Sequence, residues 1–151
     1  MSRLTLFLTG CVLVAGLWMY LAVFQPVQAQ VQLRPDDQEL VAQGADIYAV
    51  QCAACHGADL QGQPDWQIRG DDGLLPAPPH DGTGHTWHHD DQTLFTLTKY
   101  GLAGLMDNSP ASGMPSYDGV LSDAEIIATL SFIKSEWPED IRAFHDSLNA
   151  R

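Results

Sequence analysis

The sequence predicts an all-α fold, and three observations lead to that prediction. No alternating run of polar and apolar residues is long enough to build a sheet. Two segments open with a capping-box pattern, Asp36 to Glu39 and Ser122 to Glu125, and each continues with apolar residues at helical spacing. Between them stands Cys52-Ala53-Ala54-Cys55-His56, a Cys-x-x-Cys-His motif of the kind that attaches haem covalently.

The chemistry of that motif follows from its spacing. Residues three apart on a helical turn share a face, so both thiols reach the two vinyl edges of one porphyrin. His56 then turns its imidazole onto the iron as proximal ligand. A zinc site would need two further ligands, and the chain has no second cysteine pair. A thioredoxin-like pair would sit beside a βαβ pattern, which is absent. The third cysteine, Cys11, lies in an apolar run.

The elements follow in chain order. After a capping box at Asp36, residues Leu40, Val41, Gly44, Ile47 and Tyr48 recur at helical spacing and lead into the haem motif. Residues 57–89 are rich in Gly, Pro and Asp and read as a long loop, a length that suits a functional cover such as one over a haem edge. Asp90 reads as the N-cap of a helix through Tyr100, with Leu94, Phe95 and Leu97 apolar and Gly101 as its stop. Ser122 and Glu125 open the next helix, with Leu121 and Ile126 at the spacing of a hydrophobic staple. It runs through Ile133 to Trp137, where Pro138 ends it. Pro138-Glu139-Asp140 opens a last helix through Leu148, since Pro suits the first position and acids suit the positive end.

The iron needs a sixth ligand or an open position, a choice that separates electron carriers from gas-binding and catalytic haem proteins. Beyond the leader, Met106 and Met114 are the methionines available. Met114 sits in Gly113-Met114-Pro115-Ser116-Tyr117, where a rigid Pro could hold the thioether toward the iron. Met106 is the rival, in a Gly-rich setting, and either could simply pack against the porphyrin as a soft apolar side chain.

Residues 1–29 are expected to be a signal peptide or a transmembrane anchor. Met1-Ser2-Arg3 is a short positive start, and Leu4 to Phe24 is apolar over about the length of a membrane span. Val27-Gln28-Ala29 resembles a cleavage site, while the length of the run favours a retained anchor. Leu8-Thr9-Gly10-Cys11 also has the look of a lipobox, which the apolar stretch continuing to Phe24 argues against. Each fate exports the rest of the chain, either anchored on the periplasmic side of a bacterial inner membrane or soluble in the periplasm after cleavage at Ala29.

Charge bounds the partners. The chain carries 7 Lys plus Arg against 19 Asp plus Glu, a net charge of −12. Such acidity argues against nucleic acid and favours redox partner proteins with a basic docking patch. Simple solubility is the bland alternative.

These residues together resemble a bacterial class I mono-haem cytochrome c of the membrane-anchored or periplasmic kind. The resemblance covers roughly residues 37–137 and rests on Gly44, Tyr48, Cys52 to Gly57, Met114-Pro115 and the Leu121 to Ile126 helix start. It implies the class I cytochrome c fold, three to five helices wrapped around one covalently bound haem, following an N-terminal apolar segment. The implied organisation is a leader at 1–29, a cytochrome c domain at 30–137 and a helical extension at 138–151. It further implies close crossing of the first and last helices at Gly44 and Phe132, and Met114 as the sixth ligand opposite His56. A Pro-loop carbonyl should accept the His56 Nδ1 proton; Pro78 or Pro79 matches it, with Pro79 the assigned residue.

The implied function is single-electron transfer in a respiratory or oxidative chain, with no bond chemistry of the protein's own. One alternative is a haem-bearing oxidoreductase subunit with an openable sixth site. Another is a copper-handling protein using His80, His85, His88 and His89, which lie among acids in a loop that departs from simpler members. Propionate or surface roles for that loop stand ahead of a dedicated metal site. Trp87 is its best propionate donor, because an indole N–H only donates.

Overall fold

Asp37, rather than Asp36, starts the first helix. In the computed structural model, whose described residues are 30–105 and 112–150, α1 spans Gln38–Gln51, and the Asp37 carboxylate accepts from the Leu40 N–H. The start is thus one residue later than the capping-box pattern places it, which leaves Leu40 where a reciprocating Glu would have to stand. Asp36 instead pairs with Arg142 at 2.6 Å. The leader at 1–29, including Cys11, and the rival ligand Met106 lie outside the described residues.

Four further helices follow. The turn α2, Ala53–His56, carries the haem motif, and Cys52 caps the end of α1. The loop from Gly57 to His89 contains one 3-10 turn, Thr86–His88. Helix α3, Asp91–Tyr100, is capped by Asp90 and stopped by Gly101, as expected. Helix α4, Asp123–Ser135, has the complete Ser122–Glu125 capping box, and the staple residues Leu121 and Ile126 are both buried. Helix α4 stops two residues short of Trp137, which is itself buried. Helix α5, Glu139–Asn149, begins after Pro138, which takes the N-cap position instead of the first helical one. No strand occurs among the described residues, and none of their helices is long and apolar enough to cross a membrane.

Packing joins the two ends of the domain. Residues 31–150 belong to a single compact unit, in which α1 lies against α4 more extensively than any other pair. The crossing is centred on Gly44: a β-carbon there would come within 2.0 Å of the Ala128 carbonyl oxygen and 3.0 Å of the Phe132 β-carbon. No other side chain fits that approach. Tyr48, one turn along, tilts against the Phe132 ring at 5.4 Å. The core then runs through Leu60, Leu94, Phe95, Tyr117, Leu121, Ile126, Leu130, Ile133 and Trp137.

Candidate haem site

Two tyrosines hold the Cys-x-x-Cys-His turn in place. The Tyr48 hydroxyl donates to the Gly57 carbonyl at 2.8 Å, just after the motif. The Tyr117 hydroxyl donates to the Gln51 carbonyl at 2.8 Å, just before it. Burial raises the pKa of both phenols, so each stays a protonated donor. Within the turn, Cys52 is half-buried, Cys55 is exposed, and both thiols are free. His56 is buried at 7% exposure.

The imidazole of His56 is set by the loop that faces it. Its Nδ1 lies 2.8 Å from the Pro78 carbonyl oxygen, and since a carbonyl can only accept, Nδ1 carries the proton and donates. Nε2 therefore keeps its lone pair, the form a metal ligand needs. Burial lowers the His56 pKa, and the bond to Pro78 only partly opposes this, so the ring is held toward neutrality. The accepting carbonyl is that of Pro78, which corrects the assignment to Pro79. The Pro79 carbonyl faces the other way, toward Thr86 at 3.5 Å and against the backbone of Gly84.

Backbone stitching presents that carbonyl. Gly62 N–H donates to the His56 carbonyl, and His80 N–H to the Leu60 carbonyl, both at 2.7 Å. Gln63 N–H donates to the Ala77 carbonyl at 2.9 Å, so the strips 60–63 and 77–80 run side by side. Gly62 sits at φ +66°, and a β-carbon on it would meet the Pro79 nitrogen at 2.4 Å. The strips can approach this closely only with glycine there.

The Met114 loop is anchored at both ends of its described part. Met114 is half-buried against the core, and its N–H donates to the Ser112 hydroxyl at 3.1 Å. Downstream, Ser116 Oγ donates to the Lys99 carbonyl at 2.6 Å and Tyr117 N–H to the Thr98 carbonyl at 3.2 Å. Tyr117 thereby ties this loop to the haem motif as well as to the end of α3.

The histidine-rich loop spends its imidazoles in ring contacts, one of them between His85 and His89, edge-on at 5.6 Å. His80 stacks on His56 with ring centroids 3.9 Å apart, His85 on Trp66 at 5.3 Å, and His88 on Trp87 at 3.8 Å. Among the described residues no three His, Cys, Asp or Glu side chains converge as a metal site. Trp87 also meets Phe144 of α5 edge-on at 5.6 Å, and its buried indole N–H has no hydrogen-bond partner. An orphaned buried donor is costly unless an acceptor arrives.

The donor set fits a covalent haem. Two free thiols on one turn could attach it, a neutral imidazole with a bare Nε2 could ligate it, and an unpartnered indole N–H is suited to a carboxylate acceptor. Sequence reasoning missed Gly62 and the parts that Tyr117 and His80 play here, because the contacts that matter join segments far apart in the chain.

The family model described as Cytochrome c matches residues 41–137. The cytochrome c subunit of the cytochrome bc1 complex from Corynebacterium efficiens is 57% identical over 30 residues, which is 20% of this chain. The match spans only 10% of that relative's length. No solved structure gives a significant match. The chain thus belongs to the cytochrome c family and carries covalently bound c-type haem.

Proposed function

We propose that this protein is a single-electron carrier with His56 and Met114 as axial ligands, working in a respiratory or oxidative chain. The hydrogen bond from His56 Nδ1 to the Pro78 carbonyl carries this reading, because it leaves Nε2 as the ligating atom in one orientation. Bound haem supplies a one-electron iron couple. Cys52 and Cys55 tether the macrocycle, and His56 holds its position through the change of charge. Met114 lies on a loop braced by Ser116 and Tyr117, so its thioether needs little rearrangement between oxidation states. Trp87 donates its indole N–H to a propionate and satisfies an otherwise orphaned atom.

Met114→Ala tests the ligand set. The variant should fold with haem attached, show a lowered reduction potential and bind carbon monoxide. It should also lose the charge-transfer band of thioether ligation at the red end of the ferric spectrum. An unchanged potential and spectrum would transfer the role away from Met114, and carbon monoxide binding by the parent protein would favour the oxidoreductase reading with an openable site.

The redox partner carries a basic docking surface, in keeping with a net charge of −12. The Corynebacterium efficiens relative, named as a subunit of a cytochrome bc1 complex, supports a respiratory partner. Electron transfer to that partner should slow as ionic strength rises, and a salt-insensitive rate would remove charge steering. The apolar run from Leu4 to Phe24 retains the protein on the periplasmic face of the inner membrane. Mass spectrometry of the purified holoprotein checks this, and a mature N-terminus at Gln30 would make it a soluble periplasmic carrier.

A further inference from the structure

We propose that His80 is a positioning residue for the axial ligand, its imidazole acting as a flat surface that fixes the plane of the His56 ring. This rests on the reading of His56 as an iron ligand. The two rings lie nearly parallel, 20° apart, with centroids at 3.9 Å. One hydrogen bond to the Pro78 carbonyl fixes the tautomer of His56 but leaves its plane loosely set, because carbonyl oxygens accept over a broad range of directions. A stacked ring removes that remaining freedom.

His80 is itself held at four points. Its N–H donates to the Leu60 carbonyl, and its own carbonyl accepts from Trp137 Nε1, both at 2.7 Å. Its Nδ1 is hydrogen-bonded to the Thr86 hydroxyl at 2.8 Å, and Thr86 is buried. The Tyr48 ring meets it edge-on at 6.4 Å. The two backbone bonds place residue 80 whatever its side chain, whereas the bond from Nδ1 to the buried Thr86 hydroxyl fixes the ring itself, which a space-filling leucine would not need. The plane of an axial imidazole relative to the macrocycle sets its overlap with the iron d orbitals, and hence the anisotropy of the low-spin ferric signal. His80 therefore tunes the site without touching the iron.

The test compares ferric holoproteins by electron paramagnetic resonance, with reduction potential as a second readout. His80→Leu keeps the volume and loses the flat ring, so its g values should shift or broaden. His80→Phe restores a flat ring and should bring the signal back toward that of the parent. Thr86→Val leaves the ring but removes its clamp, and should shift the signal in the same direction as His80→Leu by a smaller amount. A His80→Leu signal identical to the parent's would overturn the proposal and leave His80 as a space filler. Should His80→Leu fail to assemble, Thr86→Val decides by the same criterion. A parent signal without imidazole ligation would instead overturn the ligand assignment of His56, and this inference with it.

Discussion

Tyr117 works at two distances at once. Its backbone N–H fastens the Met114 loop to the end of α3, and its hydroxyl reaches the Gln51 carbonyl beside the haem-attachment turn. With Tyr48 on the Gly57 carbonyl, the two phenols bracket the motif from either side. Tyr117 is 7% exposed, so Tyr117→Phe keeps the packing and removes one hydrogen bond while leaving a carbonyl short of a partner. Such a loss costs about 1–2 kcal/mol. Denaturant unfolding of the holoprotein should show that loss with an unchanged slope, and a stability equal to the parent's would mean that water replaces the phenol.

The α1–α4 crossing depends on one missing side chain. Gly44 in mid-helix costs about 0.5–1 kcal/mol relative to Ala, because of backbone entropy. Steric contact outweighs that: a β-carbon would lie 2.0 Å from the Ala128 carbonyl oxygen, an atom that moves only if the helix moves. Overpacking of this kind costs about 1–3 kcal/mol. Gly44→Ala should therefore lower stability by about 1 kcal/mol net on these magnitudes, as read by thermal or denaturant unfolding of the holoprotein. A variant as stable as the parent would show that the helices can slide apart freely. The capping box at Ser122 acts locally by contrast, since it satisfies backbone donors whatever the crossing does.

Across the whole molecule, α5 is bound to the domain by a buried polar network and lies beyond the residues matched by the family. Asp91, at the start of α3, accepts from the Leu33 N–H at 2.8 Å and from Asn149 at 3.2 Å. Its own N–H donates to Asn149 at 2.8 Å. Lys134 of α4 pairs with Asp146 at 2.6 Å and lies 4.0 Å from Asp91. Fully buried among them is His145, its Nε2 3.6 Å from Asp91 and its ring edge-on to Trp137 at 5.0 Å. Burial, then the Lys134 charge, lowers the His145 pKa, while Asp91, the His89 backbone and Asp146 oppose this less strongly. The native state holds the imidazole neutral where the unfolded chain would protonate it. Stability from this group is present above the ordinary value of 6.5 and is lost as pH falls below it toward the lowered native value. Unfolding measured from pH 8 down to about 5 should show a decline that is shallower in His145→Gln. An identical decline in both proteins would place the acid sensitivity elsewhere.

The helices and the chemistry of the attachment motif are legible in local sequence. Cys52, Cys55 and His56 are legible because one turn of helix brings them together, and the Asp90 and Ser122 caps are legible because they bond residues three away. Boundaries slipped where neighbouring residues competed, as at Asp36 and Asp37: Asp37 caps the helix while Asp36 pairs with the distant Arg142. Only tertiary structure chose Pro78 over Pro79, because consecutive carbonyls point in different directions and the pairing of strips 60–63 and 77–80 decides which one meets His56. It likewise set His85 on Trp66 and His88 on Trp87, and it carried His80 onto the His56 ring. Local spacing encodes what one turn of backbone can reach, whereas contacts between distant segments depend on the direction in which the folded chain returns.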